Sequence, residues 1–385
     1  MKFKKITLII LIILLIGCAQ ESILSQPGGK FTIGVIYHDF TDKERPEILT
    51  EDTTDYRDIT MKIWYPAENN PEKSFAPYIK NGNKPIEELN LPSFYQDLPS
   101  HAKLNLSLSN AEQKYPILIF NHGWGEHYSQ NTVLMEELAS HGYIVVSIAH
   151  HHEARFSFYP DDSYIVFNPN NQSEHFQQIM AEQQNPDAIQ MFQSLSSTQS
   201  TQVREDVFRR TNELMPTFML KGSVLWAADI IAIMDHLDLN KIGVFGMSPG
   251  GTATCQACLQ DKRIKAGINM DGGIFGDVLD TTIAQPFMFI NSVRYRGYQN
   301  LFLKRIKNQG IVINIENVEH YNFHDISILN SDHQMLGTID GRKMLNILNE
   351  YTLAFFYRFL KGFGNKKIDP EKKKYANINI FTKNL

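Results

Sequence analysis

Cysteine is nearly absent from the chain, with three in 385 residues. Two of them, Cys255 and Cys258, are spaced C-x-x-C within a helical pattern, where small buried residues are the ordinary occupants. A disulfide between them stays open in an oxidising compartment, but no disulfide framework can be built from so few thiols. No second cysteine pair exists to complete a zinc site, so no metal is expected. Charge of one sign is lacking as well. Against 37 Lys and Arg stand 42 Asp and Glu, a net charge of −5, which gives no electrostatic case for a nucleic-acid partner. Membrane-length apolar segments are also missing at the N-terminus. The run Ile6 to Ile16 has 11 residues, well short of the roughly 20 that a spanning helix needs. No internal repeat is visible, nor any boundary of a second independent domain.

That short run has a different use. It follows Lys2, Lys4 and Lys5 and ends in "LIGC", with Cys18 directly after Gly17. A positive segment, a short apolar core and a cysteine after a small residue form the pattern of a bacterial lipoprotein signal. Residues 1–18 are therefore expected to be a signal peptide whose Cys18 becomes the lipidated first residue of the mature chain. A plain secretory signal is the alternative. The expected location is extracytoplasmic, held to a membrane by the lipid anchor. Residues 19–30 read as a flexible tether, 31–365 as one domain, and 366–385 as a solvated basic tail. Nothing in the sequence sets the oligomeric state.

Within the domain, "FTIGVIYHDF" (31–40) and "DITMKIWYPA" (58–67) alternate apolar and polar residues, as half-buried antiparallel strands do. "YPILIFNHG" (115–123) and "YIVVSIAH" (143–150) are near-continuous apolar runs, suited to parallel strands buried on both faces. "SQNTVLMEELASHG" between them reads as a helix closed by Gly142. The alternation repeats through the helix "VLWAADIIAIMDHL", the strand "KIGVFG", the helix "SPGGTATCQACLQD", three more strands and a long closing helix. This order predicts an α/β fold, a doubly wound, mostly parallel sheet with an antiparallel entry. The stretch 151–223 interrupts it, with helical periodicity only near 201–215. An insertion of that length is expected to be a lid or a substrate-binding excursion.

The chemistry concentrates in "FGMSPGG" (245–251). Gly246 and Gly250 flank Ser248 between a strand and a helix, the context of a nucleophile elbow. Such a serine needs a base and an acid, usually in the chain order serine, acid, histidine. Downstream lie His320, His324 and His333. His320 follows the last apolar strand and is the expected base, with His324 the alternative. The strand "PFMFINS" leads into "VRYRGYQN", which holds no carboxylate, whereas "IKAGINMD" ends in Asp271. Asp271 is therefore the expected acid, against the alternative of a turn aspartate. "NHGWG" (121–125) ends an inner strand where such folds supply an oxyanion donor, here the Trp124 amide. The second donor should be residue 249, but Pro249 has no N–H. Tyr128 or an amide further into "WGEHY" could compensate. "HHHE" (150–153) invites a metal reading, yet side chains alternate along an extended chain, so it reads as a strand end with loop histidines.

With these residues in hand, the chain resembles the plasma-type (isoform II) platelet-activating-factor acetylhydrolase family of α/β-hydrolases. The likeness runs from "MKIWYPA" to "AFFYRFLKG" and includes "KIGVFGMSPGGTAT", "KAGINMDGGIF" and "VEHYNFHDIS" in family order. It implies a calcium-independent serine esterase, without a cofactor, that cleaves short or oxidised acyl chains from glycerophospholipids. Its nucleophile, acid and base would fall on Ser248, Asp271 and His320, and its oxyanion donors on the amides of Trp124 and residue 249. Pro249 departs from the family, which carries an N–H there. A general esterase or polyester hydrolase shares these motifs. From another class, a lipoprotein that binds acyl ligands without turning them over would explain Pro249.

Overall fold

The computed structural model describes residues 23–80, 87–88, 91–96, 98–195, 201–239, 241–362, 368 and 374–385. The signal segment and Cys18 lie outside the described residues. The central sheet is built from β1 (Thr32–Pro46), β2 (Tyr56–Ala67), β3 (Phe75–Pro77), β4 (Pro99–Leu104), β5 (Ile117–Asn121) and β6 (Ile144–His150). After a separate hairpin of β7 (Phe156–Phe158) and β8 (Tyr164–Val166) it continues with β9 (Ile242–Met247), β10 (Ile264–Met270), β11 (Phe287–Asn291), β12 (Gly310–Ile315) and β13 (Ile378–Lys383). The spatial order is β13-β12-β11-β10-β9-β5-β6-β2-β1-β4-β3.

From β12 to β6 every pairing is parallel. These are the strands that read as continuous apolar runs, and burial on both faces explains the reading. One apolar cluster, with Leu134, Leu138, Leu345 and Leu348, covers one face of the sheet. The other, with Ile230, Ile233, Cys255 and Phe302, covers the opposite face. β2 pairs antiparallel with both β1 and β6, which is the expected antiparallel entry. It is not half-buried, because every residue from Ile59 to Ala67 is buried. The polar Lys62 is tolerated there since its Nζ donates to the Tyr78 carbonyl at 3.0 Å and to Ser129 Oγ at 3.1 Å.

Two boundaries differ from expectation. The end of the supposed tether is docked: Leu24 is buried, and the Gly28 and Gly29 amides donate to Glu137 and Ser140 of the helix Thr132–Ser140. The basic tail is not simply solvated either, since β13 pairs antiparallel with β12 and extends the sheet. In the insertion, helices Glu174–Gln183 and Pro186–Ser194 join the expected one at Thr201–Leu214. Cys255 and Cys258 are free and buried in the helix Pro249–Gln260, and burial pushes the Cys255 thiol up to about 12.

Chain order reverses between β5 and β9. The chain runs outward through β5 and β6 on one side and through β9 to β12 on the other. Open α/β sheets bind ligands at such a switch point, outside the carboxyl ends of the strands. Ser248 follows β9 and Trp124 follows β5, so both stand there.

Candidate active site

The turn from β9 into the helix Pro249–Gln260 forces Ser248 to φ 58°, ψ −126°, and its amide donates to the Met270 carbonyl at 2.9 Å. The flanking glycines are steric requirements. A Cβ on Gly246 would lie 2.3 Å from the Gly250 carbonyl oxygen, and one on Gly250 would lie 2.3 Å from that of Asn121. No side chain fits either gap, so the elbow exists only with glycine at both places. Pro249 takes the first helical position, where its lack of an N–H costs the helix nothing.

β12 delivers His320 at the start of a short turn, His320–Phe323, fixed by a capping box between Glu319 and Asn322. His320 Nε2 lies 2.9 Å from Ser248 Oγ, and Nδ1 lies 2.6 Å from Asp271 Oδ2. Asp271, directly after β10, sits at φ 50° with its amide donating to the Ile290 carbonyl at 2.8 Å. Its other oxygen, Oδ1, accepts from the Ser292 amide at 2.7 Å. The structure thus brings the three expected residues into one hydrogen-bonded line.

The electrostatics follow from burial and pairing. Burial alone would raise the Asp271 carboxyl, but the hydrogen bond and charge of His320 outweigh it, so its affinity for protons lies below the ordinary carboxylate range. Burial lowers that of His320 below the usual imidazole value, with Asp271 opposing the shift. A neutral imidazole beside a serine hydroxyl, oriented by an ionised carboxylate, is equipped to accept the hydroxyl proton. His324 is elsewhere. Its Nε2 lies 3.2 Å from Met247 Sδ, and burial pushes its imidazole down to about 3.

Among the described residues no hydrogen bond engages the Trp124 amide. The preceding amide, Gly123, donates to Gln130 Oε1 at 2.8 Å. Gln130 Nε2 donates to Asn131 Oδ1 at 2.8 Å, and Asn131 Nδ2 to the Phe323 carbonyl at 2.5 Å. This relay ties the loop after β5 to the His320 turn. The Trp124 indole meets Phe218 and Phe167 edge-on, at ring separations of 5.0 and 6.2 Å. Both phenylalanines come from the insertion, which therefore walls the site. Tyr128 is buried in the core, where its hydroxyl accepts from the Phe158 amide at 3.3 Å in the β7 hairpin and its ring packs 6.2 Å from that of Tyr37.

The "HHHE" run is more than a strand end with loop histidines. His150 is buried, stacks on Trp226 at 3.9 Å and pairs Nδ1 with Asp229 Oδ2 at 2.8 Å. Asp229 also accepts from Arg57, at 2.7 and 3.1 Å, and Arg57 reaches Glu47 Oε2 at 2.9 Å. An ionic cluster thus underlies the ends of β5 and β6. Sequence reading missed it, together with Gln130 and Asn131. The polar "SQNT" ahead of an apolar helix was the available signal for the last two.

The family model of platelet-activating factor acetylhydrolase, isoform II, matches residues 17–375. A guinea-pig (Cavia porcellus) platelet-activating factor acetylhydrolase is 26% identical over 333 residues, 78% of this chain and 72% of that protein. The bovine (Bos taurus) one is 28% identical over 290 residues, 69% of this chain and 62% of that protein. A solved ferulic acid esterase from Streptomyces cinnamoneus superposes with a TM-score of 0.69 at 18% identity, covering 93% of this chain and 98% of its own. That likeness concerns the fold, which is the α/β-hydrolase fold. The match across residues 17–375 settles the family: the chain belongs to the platelet-activating factor acetylhydrolase, isoform II, family of enzymes.

Proposed function

We propose that this chain is a serine esterase that cleaves short or oxidised acyl chains from glycerophospholipids through an acyl-enzyme on Ser248. One observation carries the reading, the continuous hydrogen-bonded line from Asp271 through His320 to Ser248 Oγ. His320 takes the serine proton as Oγ attacks the ester carbonyl, and Asp271 stabilises the imidazolium that forms. The proton then passes to the departing alcohol. Water repeats the sequence on the acyl-enzyme, again with His320 as base. The Trp124 amide would then meet the developing oxyanion. Trp124, Phe167 and Phe218 supply an apolar wall for the acyl chain. A polar cavity of about 350 Å³ beside the His320 turn, lined by Tyr95, Glu126, Arg155 and Tyr321, suits the alcohol portion.

The relatives' names support a lipid ester as substrate. Anchoring through a lipidated Cys18 would hold the site beside such a substrate at an extracytoplasmic membrane surface. Cys18→Ser should then move the protein out of the membrane fraction with activity on soluble esters retained; unchanged fractionation would refute the anchor. A second reading, acyl binding without turnover, is favoured by Pro249 alone. Labelling with a fluorophosphonate and hydrolysis of nitrophenyl esters of graded chain length decide between them. An esterase labels and turns over in wild type but not as Ser248→Ala, whereas a binder does neither in any form.

A further inference from the structure

Pro249 leaves the oxyanion position short of one amide, and the wall around that position shows where a replacement could come from. A cavity of about 20 Å³ has Pro249, Thr252, Trp124, Phe218, Trp226 and Glu153 in its lining. That is room for about one water-sized group, such as a carbonyl oxygen. The side-chain protons of Thr252, Ser223 and Trp226 beside it are already committed. Thr252 Oγ1 donates to the Gly273 carbonyl at 3.0 Å, Ser223 Oγ to the Leu220 carbonyl at 2.8 Å, and Trp226 Nε1 to Glu153 Oε2 at 2.5 Å. Glu153 is buried and bound to the oxyanion loop itself, because its carbonyl accepts from the Gly125 amide at 3.0 Å.

We propose that Glu153, as a neutral carboxylic acid, donates the hydrogen bond to the oxyanion that Pro249 cannot. With Oε2 accepting from Trp226, the acid proton rests on Oε1. No proton is transferred: the O–H bond stays intact and its dipole meets the negative charge as Ser248 adds to the carbonyl. A carboxylic acid in an apolar site can hold this role near neutral pH.

The surroundings favour the neutral acid. Burial pushes the Glu153 carboxyl up to about 8, with Asp229 and Glu47 adding to the shift and Arg57 and Trp226 opposing it. The other groups facing it do not titrate nearby. Burial lowers His150, His151 and His152, and takes His122 down to about 3, so all four are neutral above pH 7. Asp229 is paired with Arg57 and Arg45 and stays ionised. Below about pH 8 Glu153 donates; above it, the carboxylate repels the oxyanion. Turnover should therefore fall on the alkaline side as pH rises through that value.

The inference rests on the esterase reading, so the test begins with fluorophosphonate labelling of wild type at Ser248. Absence of labelling overturns the esterase reading and this proposal together. The kcat profile on nitrophenyl acetate is then measured for wild type, Glu153→Leu and Glu153→Gln. Glu153→Leu should lose roughly 10²- to 10³-fold in kcat with little change in KM, the usual effect of deleting one oxyanion donor. Glu153→Gln, whose amide still donates but does not ionise, should recover most of that loss at pH 7 and lack the alkaline limb. Pro249→Met, which restores a backbone N–H, should rescue Glu153→Leu by about tenfold or more. A Glu153→Leu enzyme with wild-type kcat, or a Glu153→Gln enzyme keeping the alkaline limb, overturns the proposal. Should Glu153→Leu fail to fold, the Glu153→Gln profile decides alone.

Discussion

Asp271→Asn tests the hydrogen-bonded line without changing its shape, and the structure fixes what the new amide must do. Oδ1 of Asp271 accepts from the Ser292 amide at 2.7 Å, and Oδ2 faces His320 Nδ1 at 2.6 Å. An asparagine has one acceptor oxygen. Satisfying the Ser292 N–H, itself a buried donor, commits that oxygen and turns the NH₂ group toward His320. Nδ1 must then be the unprotonated nitrogen, which puts the ring proton on Nε2, facing Ser248 Oγ. The base is occupied by its own proton. Such a tautomer reversal typically lowers kcat by about 10⁴, or about 5.4 kcal/mol of transition-state stabilisation. KM should change little, because the acyl wall is untouched. The assay is steady-state hydrolysis of nitrophenyl acetate, with thermal melting as the folding check. A well-folded Asp271→Asn enzyme within tenfold of wild-type kcat would refute the assignment of Asp271 as the orienting acid.

The acid limb of kcat/KM should lie below the ordinary imidazole value of 6.5, because burial lowers His320 and only the neutral ring accepts a proton. Activity is thus retained into mildly acidic solution and lost as pH falls through the depressed value; a midpoint above 6.5 contradicts this. Arg57→Met should destabilise the fold by about 3–5 kcal/mol, since it leaves Asp229 and Glu47 buried with fewer counter-charges. Denaturant titration measures this, and a loss under about 1 kcal/mol would show that Arg45 and His150 suffice for Asp229.

Much of the architecture was legible because the inner strands are buried on both faces and therefore read as unbroken apolar runs. The elbow was legible because its geometry leaves only glycine at 246 and 250. His320 and Asp271 could be placed by chain order and by the lack of a carboxylate after β11. The misses have a common physical cause, stabilisation that local sequence does not carry. β13 has six residues, follows a lysine-rich stretch and is defined only by pairing with β12. Helices Glu174–Gln183 and Pro186–Ser194 bury only Phe176, Ile179 and Ala188, too few to mark a periodic stripe. Asn131 and Glu153 are polar residues whose partners, Phe323 and Trp226, lie far along the chain, so each resembles a loop residue until the fold closes around it.

The Gln130–Asn131 relay has a consequence for how the protein comes apart. Its last bond joins Asn131 to Phe323, positions 192 residues apart. Contacts of such long sequence separation carry a large loop-closure cost and form late. The loop after β5 and the His320 turn should accordingly open as one cooperative unit. In native-state hydrogen exchange, the Gly123 amide and the amides of residues 322–325 would share one opening free energy. A partly folded or nicked chain would then have no weakened version of the site, only none at all.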